Sequence, residues 1–75
     1  MRFEWNPQKD QLNLNKHGVD FAEATTIFRD PLSVTYADPD HSQEEDRRII
    51  IGLSPRHRLL IVAHTDRGTC IRIIS

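Results

Sequence analysis

The chain has 75 residues, ten Lys and Arg against eleven Asp and Glu for a formal net charge of −1, 37% hydrophobic residues and one cysteine. Separate cores appear only well beyond ~200 residues, and this apolar content is too high for a disordered tail, so a single folded domain over residues 1–75 is expected. No apolar run approaches the ~18 residues that span a bilayer, the opening Met1-Arg2-Phe3-Glu4-Trp5-Asn6 lacks the apolar stretch of a signal peptide, and a lone cysteine excludes an internal disulfide, which together predict a cytoplasmic protein with no membrane contact.

Arg2 to Trp5 reads as a short strand. Asn6-Pro7 then places a capping residue ahead of proline at the first helical position, where its missing N–H costs nothing. The first helix runs from Pro7 to His17 and stops at Gly18, with Leu12 and Leu14 as its only apolar residues. Asp20 followed by Glu23 resembles a capping box, and Phe21, Ala24 and Phe28 form one stripe of a second helix ending near Arg29. Asp30-Pro31 breaks that helix, because the residue before proline is pushed out of the α region.

Leu32 to Tyr36 is strand-like and closes at the turn cluster Asp38-Pro39-Asp40, followed by a polar loop from His41 to Asp46. Arg47 to Leu53, Leu59 to Thr65 and Cys70 to Ile74 are β-rich runs, and their short connections imply an antiparallel meander. The expected architecture is therefore α+β, in the order βααββββ, with both helices on one face of an antiparallel sheet. Ile49-Ile50-Ile51, Leu59 to Ala63 and Ile71, Ile73 and Ile74 are apolar at successive positions, which argues for two covered sheet faces. Two helices shield one face, so a second copy of the chain or a protein partner is expected on the other.

Bulk attraction to nucleic acid is absent from the net charge, but the distribution is uneven. From Arg47 to Ser75 six arginines face the single carboxylate Asp66, and acidic residues gather between Asp38 and Asp46. The four histidines, His17, His41, His57 and His64, have no ligand spacing with one another or with Cys70, so no metal and no other cofactor is expected. Cys70 lies in an apolar run and reads as a small core residue, because desolvation disfavours its thiolate. No glycine-rich phosphate loop is present.

What is left is a sheet carrying Arg47, Arg48, Arg58, Arg67 and Arg72, with His64 near the end of a strand and Glu44 and Glu45 in the preceding loop. Arginine forks bind phosphate bidentately, and a His or Glu can move a proton on or off a ribose hydroxyl. These are the parts of a metal-independent ribonuclease, in which the 2′-OH attacks the adjacent phosphate and an acid protonates the leaving 5′-oxygen. Several of these residues also have a plain structural reading: Arg48 and Arg58 as solvated edge or turn charges, His57 as an exposed turn residue, Lys16 and His17 as cations at a helix C-terminus, and Trp5 as core. Arg72 interrupts an apolar strand, and a half-buried arginine needs a reason.

Trp5-Asn6-Pro7 with Lys9, Asn13, Lys16-His17-Gly18-Val19-Asp20-Phe21, and Phe28 with Asp30-Pro31 resemble the N-terminal half of BrnT-type toxins. The resemblance continues through Asp38, His41-Ser42, Glu45, Arg47, Ile51-Gly52-Leu53-Ser54, Leu59-Leu60, His64-Thr65, Arg67 and Ile71-Arg72-Ile73-Ile74-Ser75. It implies a ribonuclease toxin of a type II toxin–antitoxin pair, RelE-like in fold, that blocks translation by cutting RNA. It also implies a BrnA-like antitoxin with a ribbon-helix-helix domain, through which the pair would contact its own promoter DNA. Family members usually continue past the last strand with a basic helix, and a domain without that helix is the expectation here. The expected catalytic residues are His64, Arg67, Arg72 and Glu45, with Lys16, His41 and Arg47 binding RNA, and the general base is open among His64, Glu45 and His41. A second reading is a non-catalytic relic that only engages an antitoxin or RNA.

Overall fold

A computed structural model describes residues 1–40 and 46–75, so the expectations for His41 and Glu45 lie outside the described residues. Strand β1 (Arg2–Glu4) is followed by helix α1 (Pro7–His17), helix α2 (Phe21–Thr26) with a 3-10 turn over Ile27–Arg29, and strands β2 (Val34–Ala37), β3 (Arg47–Leu53), β4 (Leu59–Asp66) and β5 (Cys70–Ile73). The class is α+β. All five strands form one sheet in the spatial order β1-β5-β4-β3-β2.

The sheet is mixed, which corrects the expectation of a purely antiparallel one. Strands β2 to β5 are joined by direct turns or a loop and pair antiparallel, whereas β1 pairs parallel with β5, Arg2 opposite Cys70 and Glu4 opposite Arg72. A tight turn reverses the chain and forces antiparallel pairing. The segment leaving β1 instead runs through both helices and three strands before β5, so no such constraint acts on that pair.

Local chemistry accounts for the helix ends. The Asn6 side chain accepts from the Gln8 amide and Gly18 closes α1 in the left-handed region, donating its N–H to Leu14. Asp20 caps α2 through the Glu23 amide, and Asp10 of α1 accepts from the Phe21 amide at 2.7 Å, tying the two helices together. Asp30 accepts from both Leu32 and Leu53, which pins the exit of α2 to the end of β3 and delays β2 until Val34.

The core lies between α2 and one sheet face, here called the helix face. Phe21, Ala24, Ile27, Ile50, Val62 and Ile73 form it, with Phe3, Trp5, Phe28, Leu60 and Ile71 packed around them. The α2 stripe is thus Phe21, Ala24 and Ile27, and Phe28 reaches sideways to stack on Phe3 with ring centroids 5.1 Å apart. Gly52 lets α2 approach β3, because a Cβ there would stand 2.9 Å from that of Ile27. Helix α1 buries no residue and lies at the margin of the structure.

Candidate functional site

Successive side chains of a strand point to opposite faces, and residues paired across strands share a face. The register therefore carries one transverse row over four strands on the face away from α2, the open face: Arg47 is opposite Thr65, Thr65 opposite Arg72, and Arg72 opposite Glu4. Asp38, just past β2, donates its amide to the Arg47 carbonyl and extends the row to the far edge. The order is carboxylate, arginine, threonine, arginine, carboxylate.

Each arginine of the row has an acidic neighbour on its outer side. Arg72 donates through Nη1 to Glu4 Oε2 at 3.2 Å, and Arg47 Nε lies 3.4 Å from Asp38 Oδ2. Cys70 is half-buried on this same face instead of in the core, and its thiol donates to Glu4 Oε1 at 3.1 Å. That thiol bond, then Arg72 and Arg67, hold Glu4 below the usual carboxylate range, so it is ionised at neutral pH. The same contact and partial burial push the Cys70 thiol up, which keeps it protonated and unsuited to attack. Exposed Arg67 acts on both members of this pair and exposed Arg2 on Cys70, so the β1–β5 edge gathers Arg2, Arg67 and Arg72.

The two RNA-binding residues expected within the described chain also meet. Lys16 and Arg47 line one cleft of about 380 Å³ with Lys9, His17 and Ser75. A larger cleft of about 660 Å³ runs beside it between α1 and β4, lined among others by Asn13, His17, Arg47, Ile61 and Ala63. Arg67 stands in the exposed turn after β4. Arg58 is no free turn charge: it pairs with Glu23 at 3.2 Å, donates to the Gly18 carbonyl, and with Ser54 fastens the β3–β4 turn to α2.

His64 does not share a face with Arg72; it shares one with Arg48, its cross-strand partner in β3, and with Asp66. It lies on the helix face opposite Ile73, 4% exposed, with its ring edge-on to Phe28 at 4.9 Å. Burial lowers its pKa below 6.5, so the ring is neutral at pH 7. His64 therefore stands opposite Arg48 but away from the row of Arg47 and Arg72, where Thr65, its neighbour in β4, takes the position. Sequence reasoning passed over Glu4, Asp38 and Thr65 as chemical groups. The available signal was strand parity, since Thr65, Arg47 and Arg72 fall on one face as soon as the register is known.

Among the described residues no group of three metal-ligating side chains occurs, and no helix is long and apolar enough to cross a membrane. The family model for the ribonuclease toxin, BrnT, of type II toxin–antitoxin systems matches residues 5–75. The chain belongs to the BrnT family. Membership makes it a ribonuclease toxin of a type II system, with an RNA substrate and an antitoxin partner. Comparison with curated proteins gives no match. The BrnT match spans α1, α2 and strands β2 to β5, and therefore takes in the row except for Glu4.

Proposed function

We propose that this BrnT-family chain cleaves RNA on the open face by metal-independent acid–base chemistry and so inhibits translation in the cytoplasm, on a RelE-like arrangement of helices and sheet. The observation that carries the reading is the row of Arg47 and Arg72, extended by exposed Arg67 and Arg2. Guanidinium forks bind phosphate and stabilise the crowded oxyanion of in-line attack. The 2′-oxygen forms a bond to phosphorus as its proton passes to a base, and the bond from phosphorus to the 5′-oxygen breaks as that oxygen is protonated. The products are a 2′,3′-cyclic phosphate and a 5′-hydroxyl.

Glu4, ionised and half-exposed beside Arg72, is the described carboxylate best placed to accept the 2′-OH proton, with Glu45 as the candidate outside the described residues. His64 serves the reaction from beneath, by fixing the strand that presents Thr65. Lys9, Lys16 and His17 guide the flanking strand of RNA along the cleft beside Arg47.

The partner, a BrnA-like antitoxin, covers the apolar part of the same face. Val34, Tyr36, Leu53, Leu59 and Ile61 are exposed there, Ile61 at 64% and Leu59 at 71%. They adjoin one another through the pairs Val34 with Ile51, Ile51 with Ile61, and Leu53 with Leu59. Contiguous apolar surface of this kind marks a protein interface.

The test is purified chain incubated with RNA with and without a chelator. Cleavage that survives the chelator and falls by at least about a hundredfold in Arg72→Ala and Arg67→Ala, the scale of losing one oxyanion-stabilising donor, supports the reading. Intact RNA with folded wild-type protein would turn the chain into a binding module only, and abolition by the chelator would overturn the metal-independent mechanism.

A further inference from the structure

Thr65 occupies the centre of the open-face row and its hydroxyl has no use in the fold. The residue is 6% exposed, and Oγ1 is buried without a hydrogen-bond partner among the described residues. Among the described residues Arg47 Nε is also buried without a hydrogen-bond partner, its approach to Asp38 being an ion pair lacking hydrogen-bond geometry. Valine has the same shape and the same preference for a strand, so packing alone asks for no hydroxyl at this position. A buried polar group left unpaired costs folding free energy, and such groups are rare unless a ligand or water completes them.

The charges around Thr65 say what that ligand is. Glu4 and Asp38 stand at the outer ends of the row, and the register places Thr65, with no carboxylate among the described residues of the row, between Arg47 and Arg72. Paired strands lie roughly 5 Å apart, which puts the Arg47 and Arg72 backbones roughly 10 Å from one another. Two arginine arms over that span can close on one tetrahedral anion seated above the threonine. We propose that the row is a seat for a single backbone phosphate of RNA, with Thr65 Oγ1 donating to one oxygen and Arg47 and Arg72 clamping the others. The proposal rests on the ribonuclease reading and deepens it by locating the scissile phosphate and adding Thr65 to the groups that touch it. Asp38 acts as a positioning residue that holds the Arg47 guanidinium by one edge, and Glu4, besides its place as the candidate base, holds that of Arg72.

Inorganic phosphate titrated into the 75-residue chain, followed by amide NMR shifts, reads the seat directly. The wild type should bind saturably, Thr65→Val should raise the Kd about tenfold or more, the loss of one hydrogen bond to a charged group, and Thr65→Ser should restore binding. Thr65→Val should melt at the same temperature or higher, since it removes an unpaired hydroxyl. A single-stranded 2′-deoxy oligonucleotide, which lacks the attacking hydroxyl, should displace phosphate in the wild type. Equal phosphate affinity in Thr65→Val and wild type, or no saturable binding at all, overturns the seat. Failure of the oligonucleotide to compete overturns its assignment to a backbone phosphate. The two readings separate cleanly: RNA cleaved equally by wild type and Thr65→Val sinks the seat and spares the ribonuclease, whereas Thr65-dependent binding with RNA left intact keeps the seat and removes the chemistry.

Discussion

Gly52→Ala tests whether the Ile51-Gly52-Leu53-Ser54 motif serves packing. Gly52 is buried on the helix face of β3, and an added methyl would meet Ile27 Cβ at 2.9 Å, Ser33 Cβ at 3.2 Å and the Ile27 carbonyl oxygen at 3.3 Å. Ordinary carbon contacts begin at about 3.5 Å, and Ile27 is 0% exposed with core on every side, so neither partner can withdraw without moving α2. Overpacking of this kind costs about 1–3 kcal/mol. In a domain of this size each kcal/mol moves Tm by roughly 4–8 °C, so a fall of about 5–20 °C is expected. Thermal unfolding followed by circular dichroism measures it, with Gly68→Ala as the control: Gly68 has φ +82 but nothing within 4 Å of a new Cβ, so only left-handed strain of about 1 kcal/mol applies. A Gly52→Ala melt within 2 °C of wild type would refute the claim that helix–sheet contact selects glycine at position 52.

Two further outcomes follow from the two faces of β4. The unfolded chain protonates His64 near pH 6.5 while the folded chain, with the ring buried, protonates it only at lower pH. The unfolded state thus binds more protons between those values, so the His64 contribution is complete above about pH 6.5 and is lost as pH falls toward the folded pKa; denaturant melts at pH 7.5 and 5.5 should show it, His64→Phe should flatten the difference, and an unchanged slope would show that the ring is solvated. On the other face, Ile61→Asp places a charge in the middle of the apolar patch and should abolish co-purification with the antitoxin while leaving Tm within about 2 °C, because Ile61 is 64% exposed; undiminished capture would move the partner elsewhere.

Much of the architecture was legible because short-range chemistry set it. Asn6 with Pro7, Asp20 with Glu23, and Asp30 with Pro31 mark helix ends by hydrogen bonds made within three residues or by steric restriction of one, and each acts as the residue types suggest. What sequence reasoning missed depends on partners far along the chain. The parallel β1–β5 pair joins residues about seventy positions apart, with Glu4 bonded to Cys70 and Arg72, and no local signal records such a contact. Cys70 reads as core for the same reason: its apolar neighbours Ile71 and Ile73 point to α2, while its own parity sends it to the open face. His64 shows the converse, since its place next to Thr65 and near Arg67 in the sequence does not record the parity that puts it on the helix face.

The division of β4 explains why the family's functional residues were hard to sort by type. Its even positions, Leu60, Val62 and His64, meet α2, β5 and Phe28 and hold the sheet to the helices. Its odd positions, Leu59, Ile61, Ala63 and Thr65, pass from an apolar patch at one end of the open face to the arginine row at the other. A partner laid along that face therefore meets greasy surface and phosphate-binding cations in one continuous stretch. An antitoxin seated on Leu59 and Ile61 needs to extend only the distance from Ile61 to Thr65, roughly 13 Å at 3.3 Å per residue, to reach the row. An acidic side chain arriving there would compete with RNA for Arg47 and Arg72, so inhibition on this geometry requires no change in the toxin's shape.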